Sequence, residues 1–160
     1  MALDLIAELE TLVDAFERDG VDYALCGGLS LAIHGHPRAT MDIDVLVPSA
    51  AAPHALASAR SVGFDVPARV ITFGLRTGSP RTVQRVSKLD PETNDLVSLD
   101  VMHADPGFED VWAGRLQVPW RGRDLRIVSR DGLATMKRFA ARPQDLADLA
   151  KLEGTDDDEG

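Results

Sequence analysis

One stretch constrains this chain more than any other: Cys26-Gly27-Gly28-Leu29-Ser30-Leu31-Ala32-Ile33-His34-Gly35-His36-Pro37-Arg38-Ala39-Thr40-Met41-Asp42-Ile43-Asp44-Val45-Leu46-Val47. A short apolar strand runs into a double glycine and then a helix reaching about His34. Gly35 and Pro37 break that helix. A second strand runs from Met41 to Val47, where Pro48 stops it. Residues i and i+2 of a strand share a face, so Asp42 and Asp44 stand side by side while Ile43 and Val45 turn the other way. Paired carboxylates raise each other's pKa, and a divalent cation removes that penalty. All-oxygen ligands favour a hard ion such as Mg²⁺, which takes the rest of its shell from water and substrate phosphates. Gly27 and Gly28 open the intervening helix, where backbone N–H groups can approach those phosphates. The chemistry suggested is phosphoryl or nucleotidyl transfer.

Other positions extend or limit this reading. Asp100 interrupts the apolar strand Leu96-Val97-Ser98-Leu99-Asp100-Val101-Met102. It reads as a third carboxylate that completes a two-metal site and accepts the proton of an attacking hydroxyl. The alternatives are a water-exposed strand-end acid and an acid paired with an arginine. Arg38 and Thr40 lie in the loop before the acids, placed to meet phosphates with Arg38 as a forked donor; otherwise Arg38 is a surface loop charge. His34 and His36 lack the companions a zinc site needs, and His34 suits a helix C-terminus. Lys137, Arg142, Asp145 and Asp148 fit an exposed polar helix face with pairing three residues apart. The chain has no P-loop, nucleophile elbow or dinucleotide fingerprint.

The length, 160 residues, suits one domain spanning 1–152 with a disordered acidic tail at 153–160. The net charge of −9 disfavours generic nucleic-acid binding. Two arginine groups, Arg69–Lys88 and Arg115–Arg130, read as solvated strand faces. The single cysteine, Cys26, suits a reducing compartment. No apolar run reaches membrane-spanning length, and the acidic amphipathic N-terminus lacks a signal peptide's basic region. A cytoplasmic protein without membrane partners is expected.

Periodicity predicts a first helix over 3–19 ended by Asp19-Gly20, and a helix over 50–61 capped by Ser49. It predicts a hairpin of Arg69–Phe73 with Thr82–Val86 about Thr77-Gly78-Ser79-Pro80. A short helix is expected to open at Asp105-Pro106, and a second hairpin to turn at Arg121-Gly122. Two closing helices follow, one capped by Ser129 and one opened by Arg142-Pro143 with Leu146, Leu149 and Leu152 at periodic positions. The whole predicts an α/β (α+β) fold: a central mixed sheet flanked by helices, with a short C-terminal helical segment.

Gly27-Gly28, Asp42-Ile43-Asp44 and Asp100 together resemble the nucleotidyltransferase superfamily of the DNA polymerase β type. His34-Gly35, Arg38 and Thr40 to Asp44 are most similar to the abortive-infection toxin nucleotidyltransferases (AbiEii-like) and the small lincosamide-type enzymes. The run Leu133 to Leu149, with Lys137 and then Arg142-Pro143-Gln144-Asp145, is similar to a segment of the toxin-type relatives. The resemblance implies two Mg²⁺ (or Mn²⁺) ions among Asp42, Asp44 and Asp100, and a nucleoside triphosphate contacted by Gly27, Gly28, Arg38, Thr40 and Lys137. It implies transfer of a nucleoside monophosphate to an acceptor on tRNA, a protein or a small molecule, within a toxin–antitoxin or phage-defence system. A partner protein or a second copy would supply acceptor surface. The rival is a catalytically inactive module of the same fold, binding or regulatory in the manner of an antitoxin.

Overall fold

A computed structural model describes residues 3–37, 40–73 and 81–158. Arg38 and the expected turn Thr77-Gly78-Ser79-Pro80 lie outside them. The first helix, α1 (Leu5–Asp19), starts at Asp4, whose carboxylate accepts from the Ile6 N–H at 3.0 Å. It ends where Gly20 takes the left-handed conformation, φ +68°, which glycine adopts without a Cβ penalty. Then come β1 (Ala24–Cys26), α2 (Gly27–Ile33), β2 (Asp42–Val47), α3 (Ala52–Ser61), β3 (Val66–Phe73), β4 (Arg81–Leu89) and β5 (Leu96–His103). The chain closes with α4 (Glu109–Ala113), β6 (Leu116–Trp120), β7 (Arg123–Ile127), α5 (Arg130–Ala140) and α6 (Pro143–Asp158). The backbone of α6 thus continues into the segment expected as a tail. Among the described residues no helix is long and apolar enough to cross a membrane.

The seven strands form one mixed sheet in the order β3-β4-β5-β2-β1-β7-β6. Strand β2 is central, parallel to β5 on one side and antiparallel to β1 on the other. Alternation decides what each face carries. Ile43, Val45 and Val47 of β2, with Val97, Leu99 and Val101 of β5, pack beneath α1 and α3 against Leu9, Leu12, Phe16 and Ala55. Each fully buried large apolar side chain there contributes about 1.5–3 kcal/mol of transfer free energy. The opposite face carries Cys26, Leu46 and Met102 toward Leu31, Phe108, Leu133 and Met136 of the second helical layer. Asp42, Asp44 and Asp100 share the parity of that face, so the acids point between sheet and C-terminal helices.

Two local expectations give way to one longer-range contact. Ser49 does not cap the helix over 50–61: Ser49–Ala51 is a 3₁₀ turn, and α3 begins at Ala52. Nor does Asp105 open α4, which begins at Glu109 after Phe108. The two residues satisfy each other, the Asp105 carboxylate accepting from the Ser49 N–H at 2.8 Å and the Ser49 hydroxyl at 2.6 Å. Of the periodic leucines of α6, Leu152 is buried and Leu146 is 52% exposed.

The second arginine group largely behaves as a paired surface. Arg123 holds Asp14 at 2.8 Å and Glu10 at 3.3 Å, and Arg115 holds Asp22 at 2.8 Å. These bonds tie β7 and the approach to β6 onto α1 and the segment after it.

Candidate functional site

Strand register assembles the site. Cys26 on β1 is paired with Asp44 on β2, Asp44 with Asp100 on β5, and Asp100 with Arg85 on β4. Four side chains from four strands therefore form a row across the sheet. Asp42 stands two residues along β2, opposite Ser98. Above the row lies a cavity of about 560 Å³. Cys26, Gly27, Gly28, Thr40 and the three aspartates form its floor and one wall. Arg85, Lys137 and Arg142 also reach it, and Val83, Met102, Phe108, Leu133 and Met136 make it apolar elsewhere.

Gly27 shows why glycine opens α2. Its φ is +70°, and a Cβ there would fall 2.7 Å from Asp44 Cγ and closer still to Oδ2. The backbone packs directly on the carboxylate, and only a residue without a side chain fits. Asp44 keeps some exposure into the cavity. Burial, followed by the negative charges of Asp100 and Asp42, pushes its carboxyl up to about 7. Burial also raises Asp42, with Arg85 opposing the shift. An acid held against its ionisation by neighbouring acids is the environment in which a divalent cation is most favourable. On that ground Asp42 and Asp44 fit a metal ion of the Mg²⁺ kind.

Asp100 differs. Arg85 donates to both of its oxygens, Nε to Oδ1 at 2.7 Å and Nη2 to Oδ2 at 2.9 Å, and Nη2 also reaches Asp42 Oδ2 at 3.4 Å. This is the forked geometry of the strongest Arg–carboxylate pairs. The hydrogen bond to Asp100, more than any other effect, raises the Arg85 pKa further. Of the alternatives open in the sequence, the arginine-paired acid is the arrangement found. As the side chains stand, the described residues contain no group of three or more His, Cys, Asp or Glu arranged to hold a metal.

Lys137 lines the cavity but is not free in it. It is 5% exposed and donates to Asp145 at 3.5 Å and pairs with Asp148 at 3.0 Å; those acids are 2% and 0% exposed. Arg142 takes the other side of Asp145 at 2.6 Å, and Gln144 donates to Asp148 at 2.8 Å. The expected exposed polar face is thus a buried ionic lock at the α5–α6 junction. Thr40 lies at the rim, its hydroxyl 3.5 Å from the Asp42 carbonyl. His34 ends α2, and its Nε2 lies 2.9 Å from the Val128 carbonyl, a structural contact.

Arg85 is the site residue that the sequence hid, because it sat among strand arginines with nothing local to mark it. Its signal was register: strands that place Asp100 inward place the residue opposite it on the same face.

No protein-family model and no curated protein matches the chain. Solved structures do. A candidate nucleotidyltransferase from Thermotoga maritima superposes with a TM-score of 0.65 at 16% identity, over 94% of this chain and 92% of that one. ANT(2″)-Ia, in complex with adenylyl-2″-tobramycin, gives 0.62 at 11%, over 94% and 88%. The lincosamide antibiotic adenylyltransferase LnuA, with lincomycin bound, gives 0.57 at 13%, over 96% and 98%. The chain has the nucleotidyltransferase fold: a mixed sheet flanked by helices, with the carboxylates on its central strands.

Proposed function

We propose that this protein is a divalent-metal-dependent nucleotidyltransferase that moves a nucleoside monophosphate from a nucleoside triphosphate to a hydroxyl of a small acceptor. The observation that carries the reading is the convergence of Asp42, Asp44 and Asp100, from adjacent in-register strands, on the floor of one cavity. Asp42 and Asp44 would hold the cation, which would supply charge neutralisation for the phosphates and a lowered pKa for the acceptor hydroxyl. The chain does the rest by positioning. Gly27 leaves main chain rather than a side chain beside Asp44, with Gly28 next to it in the cavity lining, so phosphate oxygens approach closely. Lys137 lends positive potential from its lock, and Thr40 lies at the cavity rim. The acceptor oxygen bonds the α-phosphorus, its proton passes to a carboxylate of the cluster, and the bond to the bridging oxygen breaks to release pyrophosphate.

A small acceptor is favoured over tRNA or protein. The cavity falls in the size range of small-molecule sites, and Val83, Met102, Phe108, Leu133 and Met136 make much of its lining apolar. A net charge of −9 opposes a polyanion. Two chains of the same fold are solved with an antibiotic or its adenylyl product. A place in a toxin–antitoxin or phage-defence pair, and in the cytoplasm, rests on the sequence alone.

One observation favours the rival reading, a non-catalytic module: Arg85 occupies both oxygens of Asp100. The two separate experimentally. Each nucleoside triphosphate, with Mg²⁺ or Mn²⁺, is incubated with a panel of hydroxyl-bearing small molecules, and pyrophosphate release is followed in wild type and Asp44→Asn. Release with one nucleotide, lost in the variant, is expected. Nucleotide binding without release from any acceptor would replace the enzyme with the binding module.

A further inference from the structure

The grip of Arg85 on Asp100 has a counterpart in charge. With all three carboxylates ionised, as a bound cation requires, one guanidinium leaves two negative charges in the cluster, which a single divalent cation balances. The guanidinium is held in a fixed plane by two parallel hydrogen bonds, and β4 and β5 set it directly opposite Asp100. A dication on Asp100 would lie against this permanent positive charge, which cannot be relieved by deprotonation. Asp42 and Asp44 carry no such fork. Asp42 receives only the longer 3.4 Å contact, and Asp44 faces Gly27 and the cavity.

Resting on the metal-dependent reading above, we propose that Arg85 is a built-in counter-ion standing where a second metal would bind, so that the protein without nucleotide takes up one divalent cation, on Asp42 and Asp44. Asp100 is then an anchor for Arg85 rather than a metal ligand. Its fixed charge holds the guanidinium at the cavity floor, where a triphosphate's negative charge arrives. Arg85 acts here as a positioning residue whose effect is on metal occupancy.

The test is Mn²⁺ binding, read by calorimetry and electron paramagnetic resonance on nucleotide-free protein. Wild type binds one ion, and Asp44→Asn loses it. Arg85→Gln, which frees Asp100, binds Mn²⁺ roughly tenfold tighter or takes a second ion, because a like charge has left the cluster. Arg85→Lys, which keeps the charge without the fork, falls between. The charge-neutral double variant Arg85→Gln/Asp100→Asn removes the pair as a unit and retains one ion within roughly threefold of the wild-type affinity. This double variant decides the matter even if Arg85→Gln folds poorly. Two ions in wild type, or a double variant as impaired as Asp44→Asn, would overturn the proposal. Absence of Mn²⁺ binding in every form, with and without nucleotide, would instead remove the metal-dependent reading beneath it.

Discussion

Gly27 and Asp44 are in contact where β1 runs into α2 beside β2: the main chain that opens α2 lies so close to the carboxylate that a β-carbon on Gly27 would sit 2.7 Å from Asp44 Cγ. Gly27→Ala must therefore push the carboxylate aside and hold alanine at φ +70°. A stability loss of about 2–4 kcal/mol is expected, together with loss of Mn²⁺ binding. Gly20→Ala is the control, since Gly20 has a similar φ and nothing within 4 Å of its would-be Cβ; strain alone costs it about 1 kcal/mol. Equal losses in thermal denaturation would show that contact with Asp44 is immaterial.

Asp44 is unfavourable to the metal-free fold. Burial beside Asp100 and Asp42 disfavours its ionised form, so Asn, nearly the same shape and uncharged, relieves the cluster. In EDTA at mildly alkaline pH, Asp44→Asn is expected to melt higher than wild type by roughly 2–6 °C. Mg²⁺ should raise the wild-type melting temperature and leave the variant's unmoved. A metal-free variant that melts lower would refute the account.

Lys137 separates two roles. If its task is to lock Asp145 and Asp148, Lys137→Met takes the ammonium from between two buried carboxylates, leaving Asp145 to Arg142 alone, and costs about 3–5 kcal/mol, a fall in melting temperature of roughly 6–15 °C. If it only touches ligand, the melting temperature is unchanged and nucleotide affinity falls. The first outcome is expected.

The joint between α1 and α3 makes stability depend on acid pH. Arg18 first, then the Ser58 hydroxyl at 2.7 Å, holds Asp19 down at about 2. Because the folded pKa lies below the ordinary carboxylate value, the stabilisation is complete above about pH 4. It drains away as pH falls toward 2. Ser58→Ala should thus melt below wild type at pH 6, and the gap should narrow between pH 4 and 2. A gap independent of pH would mean that the serine acts by packing alone.

What sequence could reveal about this site followed its range. Asp42 and Asp44 were legible because strand alternation is local, and Asp100 because an acid in an apolar strand needs a reason. The mixed sheet, its helices and most of its strands followed from periodicity. Arg85 was illegible because its partner lies across a strand pair whose register no local rule specifies. Lys137, Asp145 and Asp148 misled for a related reason. Charges at helical spacing read as a solvated face, and only the docking of α5 on α6 turned that face inward. Ser49 and Asp105 each looked like a helix cap, yet the two met each other across 56 residues.

Strand β5 lies between β2 and β4, although β4 precedes it in the chain and β2 lies some fifty residues upstream. During synthesis, β2 and its two acids exist long before their neighbour. Until His103 has emerged, one edge of β2 is unpaired and Asp42 and Asp44 have neither Asp100 nor a positioned Arg85 beside them. The acidic pair that marks the chain most clearly is thus an early exposed edge, and β5, slotting in later, both closes that edge and completes the row of Cys26, Asp44, Asp100 and Arg85.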